Sequence, residues 1–323
     1  MALKLGIVGV GVIARSQHLP VIAHSEAFDL VAVASRNAGV DCVANYRSLA
    51  EMLEGSPEVE AVSLCTPPAV RAHDARLALC AGRHVMLEKP PGATISEVHE
   101  LAAIARKQGV TLQTTWHSRH AAGVEPARAW LAARTVRSVE IEWREDIRVW
   151  HPGQDWILEP GGMGVFDPGI NALSIITHIL PRAFALTKAR LEVPANSQAP
   201  IAADLTFADS GGAPIHAAFD FLQTGQQTWD IRVKTDDGLL ELSGGGAELR
   251  INGAASPSGG PDLLRGEYDS LYARFAELIA CGESEVDIRP LEHVADAFML
   301  GERVETAPFD FQADINQLRR HPS

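Results

Sequence analysis

An α/β domain with a doubly wound parallel sheet, followed by an α+β domain with an open, mainly antiparallel sheet, is the fold that three features of the sequence predict. Apolar runs of strand length alternate with helical stretches through the first 118 residues, an order that requires a parallel sheet covered on both faces. A glycine-rich turn, Gly9-Val10-Gly11-Val12-Ile13-Ala14, directly follows the first of those runs. From about Arg119 the runs shorten and alternate polar with apolar residues between Gly, Asp, Ser and Pro turns, the pattern of antiparallel strands. A chain of 323 residues exceeds one ordinary core. The change of texture divides it into residues 1–118 and 119–323.

Leu3–Val8 is a continuous apolar run, the mark of a strand buried on both faces. The turn after it fits G-x-G-x-x-G/A, and a helical stretch runs on to about His24. The first glycine permits a tight turn, the second lets backbone approach a pyrophosphate, and Ala14 allows close helix–strand contact. The helix N-terminus then offers N–H groups and a positive dipole to phosphates. A strand before and a helix after are the context that makes this a Rossmann dinucleotide fingerprint, with Gly9, Val10, Gly11, Val12 and Ile13 as cofactor contacts. Asp29–Ser35 is the second strand, Ser48–Leu53 a short helix and Ala61–Cys65 the third strand. Helix Val70–Ala81 closes at Gly82. Strand Arg83–Leu87, helix Ser96–Gln108 ending at Gly109, and strand Val110–Trp116 complete this half.

The end of the second strand decides the cofactor. NAD sites place an acid there for the ribose 2′-OH, whereas this chain has Ser35-Arg36-Asn37 and no acid before Asp41. The Arg36 fork, helped by the Ser35 hydroxyl, suits a 2′-phosphate. NADP is therefore the expected cofactor, with NAD a poorer alternative. Two more loops fall at carboxyl ends of strands, where ligands of such sheets bind: Cys65-Thr66-Pro67-Pro68 and Glu88-Lys89-Pro90-Pro91-Gly92. Lys89, placed before two prolines, is barred from helical geometry and is a candidate for a cis bond. Such rigidity marks Lys89 as functional. Trp116 and His117, ending the last strand, are expected at the nicotinamide end.

In the second half, Glu125–Ala133 reads as a helix and Val136–Val149 as a long alternating strand. Shorter strands follow at Ala183–Val193, Ile201–Phe207, Ile215–Leu222, Gln227–Val233, Leu239–Leu242 and Glu248–Ile251. Asp209-Ser210-Gly211-Gly212 and Asp236-Asp237-Gly238 look like hairpin turns. Helices Arg265–Ala280 and Leu291–Val304 precede a polar tail after Phe311. Midway along the chain lies Glu159-Pro160-Gly161-Gly162-Met163-Gly164-Val165-Phe166-Asp167-Pro168-Gly169-Ile170-Asn171. Pro168 suits a first helical position, which makes Asp167 the N-cap and sets Asn171 on the same face one turn on. Trp150-His151-Pro152-Gly153-Gln154-Asp155-Trp156 carries aromatic faces suited to a pyranose ring in a polar segment. Glu145, Trp150 and His151 are the expected substrate contacts, with His117 and Trp229 beside them and Trp156 the more structural ring.

Composition excludes other classes. With 28 basic against 41 acidic residues the formal charge is −13, which argues against nucleic acid and against anionic membrane surfaces. The 46 % hydrophobic and 21 % charged residues are those of a soluble globular protein. No apolar run approaches the roughly 18 residues of a membrane span, and Met1-Ala2-Leu3-Lys4 leads straight into a strand without a secretory pattern. Cys42, Cys65, Cys80 and Cys281 have no metal-like spacing. A cytoplasmic protein without a bound metal is expected.

With Gly9-x-Gly11-x-x-Ala14, Thr66-Pro67-Pro68, Glu88-Lys89-Pro90 and Gly161-Gly162 before Asp167, the chain resembles the glucose–fructose oxidoreductase/inositol dehydrogenase (Gfo/Idh/MocA) family over nearly its whole length. The resemblance implies a nucleotide-binding N-terminal domain, a C-terminal sheet serving as a homodimer face, and oxidation of a sugar or polyol hydroxyl. Longer strings are similar to those of L-arabinose/D-galactose 1-dehydrogenases: Ile13 to Pro20, Glu88 to Thr94, Trp116-His117-Ser118-Arg119, Trp150 to Gln154 and Phe166 to Asn171. They imply oxidation of an aldopyranose anomeric hydroxyl to an aldonolactone. Two positions depart from the family pattern: Asn171 stands where many members have His, and Arg71 stands three residues after Pro68 with His73 displaced. Asn171 cannot accept the proton, which leaves Asp167 and Lys89. Asp167 is the preferred base with Lys89 cationic and stabilising developing charge; the reverse assignment stays open. Oxidation at another hydroxyl, or a non-catalytic NAD(P)/sugar-sensing regulator, are the competing readings.

Overall fold

The structure, a computed structural model, describes residues 2–255 and 263–311. It forms two compact units, Met1–His120 with Gly260–Ile288 and Ala121–Gly259 with Arg289–Ser323.

The first unit runs β1 (Leu3–Val8), a π-helical turn at Ala14–His18, α1 (Leu19–Ile22), β2 (Phe28–Ala34), β3 (Ala44–Tyr46), α2 (Leu49–Gly55), β4 (Ala61–Leu64), α3 (Pro68–Cys80), β5 (His84–Leu87), α4 (Ile95–Gln108) and β6 (Leu112–Thr114). The strands make one parallel sheet in the order β3-β2-β1-β4-β5-β6. Local chemistry sets the helix ends. Thr94 and Glu97 form a reciprocal capping box at the start of α4, and Gly109 ends it at φ +66°. The short edge strand β3 lies in a stretch whose Ala44-Asn45-Tyr46 carries no strand periodicity, and only its pairing with Ala32–Ala34 makes it one.

In the second unit α5 (Val124–Leu131), β7 (Val136–Arg144), α6 (Ile147–Trp150), α7 (Phe166–Ile179), β8 (Phe184–Pro194), β9 (Ala202–Asp209), β10 (Pro214–Asp220), β11 (Thr228–Thr235), β12 (Leu239–Ser243), β13 (Glu248–Ile251) and β14 (Ala254–Ala255) follow in order. After the first unit's returning helix α8 (Leu263–Cys281) come α9 (Arg289–Leu300) and β15 (Glu302–Thr306). The nine strands run β14-β13-β12-β11-β7-β10-β9-β8-β15. Pairing is antiparallel except at β7–β10 and β8–β15. Helix α7 approaches this sheet closely at Gly169, where an added Cβ would meet the Phe219 ring at 2.7 Å.

Four sequence expectations change. The strand expected over Val136–Val149 ends at Arg144, because Asp146 accepts from Arg148 N (3.0 Å) and caps a turn of helix. Asp167 is not the N-cap: α7 starts two residues earlier, with Val165 at the cap and Asp167 in the first turn. Gly164 explains the shift. At φ +58° it lies against Pro200, whose carbonyl accepts from Val165 N, and a Cβ there would sit 2.1 Å from the Pro200 oxygen. The helix expected over Leu291–Val304 stops at Leu300, and Val304 pairs with Glu192 in β15. The fourth change concerns α8, which follows the expected boundary at residue 118 yet packs in the first unit. Tyr268, Leu271, Tyr272 and Phe275 share a core with Leu5, Ile7, Phe28 and Val33, while α2, α3 and α4 pack into the separate core around Val62 and Leu64. α8 thus completes the cover of one face of the parallel sheet, which Ala14, Val21 and Ile22 begin. The polar tail after Phe311 lies outside the described residues.

Candidate active site

The candidate site residues gather in two constellations, one per unit. In the first unit the turn after β1 is held open by glycine. Gly9 has φ +89°, and its added Cβ would press on Thr66 N at 3.0 Å, whereas one at Gly11 would meet no atom within 4 Å. Gly11 thus faces open space where a ligand's phosphates can approach backbone. The cavity there, about 840 Å³, is lined by Gly9-Val10-Gly11, Ser35-Arg36-Asn37 and Cys65-Thr66-Pro67. Arg47 and Ser48 line it as well. Neither was visible as a site residue in the sequence; β3 delivers them by pairing with β2, whose end carries Arg36. Arg36 and Arg47 also share an adjoining cavity of about 530 Å³, along with Asp41. Val12, Ile13, Pro68, Glu88, Lys89, Trp116 and His117 are not part of the main lining.

Beneath these loops lies a buried polar network. The Glu88 carboxylate accepts from Tyr268 Oη (2.6 Å) and faces His18 Nε2 (3.1 Å) through one oxygen, and accepts from Lys89 N (2.9 Å) through the other. His18 Nδ1 meets Tyr272 Oη at 2.7 Å, which in turn meets Ser63 Oγ at 2.9 Å. Burial pushes the Glu88 carboxyl up, but the hydrogen bond and charge of His18, with His117 and Tyr268, outweigh it and hold the group at about 2. For His18, burial pulls down while Cys65, Tyr272 and Glu88 raise it well above 6.5. The result is an ion pair locked under the loop whose next residue is Lys89. The Lys89–Pro90 bond is cis. His117 Nδ1 lies 2.6 Å from Glu267 and its ring stacks on Tyr268, while Trp116 Nε1 donates to Asp287 O at 2.8 Å.

In the second unit, residues far apart in sequence converge on Asp167. His151 Nδ1 lies 3.9 Å from Asp167 Oδ2, and its Nε2 lies 3.0 Å from Glu145 Oε1. Trp229 Nε1 donates to Glu145 Oε2 at 2.9 Å. Trp150 packs edge-on against Trp229 at 4.9 Å and remains 45 % exposed. One turn beyond Asp167, Asn171 Oδ1 is buried and, among the described residues, has no hydrogen-bond partner. A buried acceptor left open one helical turn from a carboxylate is a place for a ligand hydroxyl.

The chain is 43 % identical over 307 residues to the galactose 1-dehydrogenase of Pseudomonas fluorescens, covering 95 % of this chain and 98 % of that one. Residues 3–115 match the model of an oxidoreductase family with an NAD-binding Rossmann fold. The chain belongs to the Gfo/Idh/MocA family. A crystal structure of a D-galactose-1-dehydrogenase protein from Rhizobium etli is 55 % identical with a TM-score of 0.90, covering 96 % of this chain and 98 % of that one. A 3-ketoreductase from Actinomadura kijaniata, solved with NADP and TDP-benzene, has a TM-score of 0.80 at 18 % identity, with 95 % and 100 % covered; that likeness is one of fold. No described helix is long and apolar enough to cross a membrane.

In this Gfo/Idh/MocA oxidoreductase a further buried group, Arg71 on α3, joins the two loops. The buried guanidinium donates from Nε to Thr66 O at 3.0 Å and from its other nitrogens to Thr66, Glu88 and Pro90 carbonyls. It ties the Thr66 turn to the Glu88-Lys89-Pro90 loop, a role that sequence left undefined. Arg71→Ala should destabilise the first unit by about 3 kcal/mol, since several buried carbonyls lose a charged donor. Denaturant unfolding measures this, and a change under about 1 kcal/mol would show the clamp to be dispensable.

Proposed function

We propose that this oxidoreductase oxidises the anomeric C1 hydroxyl of an aldopyranose, D-galactose or L-arabinose, to the aldonolactone, with NADP preferred over NAD. The observation that carries the reading is the buried Asn171 Oδ1, unpartnered among the described residues and one helical turn from Asp167, which itself reaches a cluster of His151, Glu145, Trp229 and Trp150 through His151 at 3.9 Å. A pyranose offers what such a cluster binds: hydroxyls for the amide oxygen and a C–H face for an indole. The high identity to galactose 1-dehydrogenases over almost the whole chain supports the same substrate class.

The bound nicotinamide supplies the hydride acceptor. Gly9, Gly11 and Thr66 would hold its dinucleotide, and the open space at Gly11 fits the close approach of phosphates. Asp167 takes the O1 proton as the C1–O1 bond becomes a carbonyl. Lys89, as a cation, stabilises the negative charge that develops on the oxygen. Asn171 accepts a hydrogen bond from a ring hydroxyl and orients the sugar.

NADP preference rests on Arg36 and Arg47, which share both cavities at the end of β2. Each guanidinium can fork onto a 2′-phosphate. A panel of aldoses with NADP and with NAD tests substrate and cofactor together. D-galactose or L-arabinose should give the lactone with kcat/KM favouring NADP. Arg36→Ala should reduce that preference about 10- to 100-fold, the worth of a charged hydrogen bond. Equal use of the two cofactors by the parent enzyme would defeat the NADP assignment, and a keto sugar as product would defeat C1 oxidation.

A further inference from the structure

We propose that His151 is the proton exit of the site: it receives from Asp167 the proton taken from the sugar and passes it to water, with Glu145 and Trp229 fixing its ring. The proposal rests on the reading of Asp167 as base.

The geometry orders the three groups. Trp229 Nε1, a donor only, occupies Glu145 Oε2. Glu145 Oε1 faces His151 Nε2 at 3.0 Å, and the Glu145 backbone N–H is pinned to Asp220 O at 2.9 Å. A carboxylate in that position selects the Nε2–H tautomer of a neutral imidazole, which turns the lone pair of Nδ1 toward Asp167 Oδ2, 3.9 Å away. The Phe221 ring, edge-on at 5.5 Å, packs beside the imidazole. Among the described residues, the titratable groups that meet His151 are thus Glu145 at the end of β7 and Asp167 on α7, both acids. Exposure runs the same way: the side chains of Glu145 and Asp167 are 4 % and 8 % accessible, and that of His151 is 16 %. Of the three, the imidazole has the widest opening to water.

The steps balance without any further reactant. Asp167 accepts the O1 proton and becomes a neutral acid. Its O–H then passes the proton to Nδ1, which forms an imidazolium between two carboxylates and restores Asp167. The 3.9 Å gap exceeds a hydrogen bond by about 1 Å, so the transfer uses a rotation of the Asp167 side chain or one bridging water. Nδ1 finally releases the proton to solvent. Asn171, on the same helix, cannot serve this purpose because an amide carries no exchangeable basic site at neutral pH. His151 acts through Asp167 and is a relay, with no contact to the reacting carbon required.

Stopped-flow measurement of NADPH absorbance together with a pH-indicator dye tests the relay. In the parent enzyme proton appearance should keep pace with NADPH. In His151→Gln, whose amide can still donate to Glu145, the proton should lag behind NADPH and kcat should fall about 10- to 100-fold, with aldose KM within about threefold. Added imidazole should restore part of the rate in His151→Ala. Unchanged proton kinetics in His151→Gln, or absence of imidazole rescue, would overturn the relay. Asp167→Asn separates the two readings. Near-parental kcat in that variant overturns the base assignment, whereas an inactive Asp167→Asn beside an unaffected His151→Gln overturns the relay alone.

Discussion

Asp167→Asn should lower kcat with D-galactose or L-arabinose by about 10²- to 10⁴-fold, the range that a positioned general base contributes. The substitution preserves shape and one acceptor oxygen, and replaces the other oxygen and its charge by a non-basic amide donor. It should fold normally, because Asp167 sits in the first turn of α7, where its charge favours the helix by only about 1 kcal/mol or less. Aldose KM should change little, since the acceptor at Asn171 and the aromatic pair of Trp150 and Trp229 remain. A loss of kcat with preserved KM and preserved melting temperature therefore reports chemistry. Retention of more than about a tenth of parental kcat would remove Asp167 from the proton transfer and shift the role to Lys89.

Glu88→Ala should destabilise the first unit by about 3–5 kcal/mol, because it removes the carboxylate that pairs with the buried His18 imidazole and leaves the buried Tyr268 hydroxyl without its acceptor. The same carboxyl gives a pH signature. In the folded chain it titrates at about 2 against a reference of 4.5, so between those values the unfolded chain binds more protons than the folded one. The pair's stabilisation is fully present above about pH 4.5 and is lost as the pH falls toward 2. The gap corresponds to about 3 kcal/mol. Denaturant midpoints followed from about pH 6 to about pH 2.5 should fall in the parent and stay flatter across that window in Glu88→Gln. A parallel decline in both would mean that other carboxylates dominate acid unfolding. Because Lys89 N donates to Glu88, loss of this carboxylate also loosens the loop that aims Lys89.

The first 118 residues were nearly transparent to sequence, and the reason is local. Buried parallel strands read as apolar runs, glycines mark the helix ends at Gly82 and Gly109, and the dinucleotide turn has its own residue pattern. Errors arose where distant contacts overrode local preference. Pro168 suits a first helical position, yet Gly164 and the Pro200 carbonyl start α7 earlier and move Asp167 inside the helix. Continuation of β7 as far as Val149 fails because the side chain of Asp146 caps a new turn. That turn swings Trp150 and His151 toward Trp229 and Asp167.

By itself, then, sequence determined most of the strand and helix order of the first 118 residues, the dinucleotide turn and the absence of an acid before Asp41. Each of these is written in contiguous residues whose periodicity or turn chemistry acts within a few positions. Tertiary structure alone decided that α8 covers the parallel sheet, that Arg47 joins Arg36, that Arg71 clamps two loops, and that Glu145, His151 and Asp167 stand in line. Those partners are separated by turns, loops or whole elements of chain, and no local pattern encodes a contact that exists only once the chain has closed on itself.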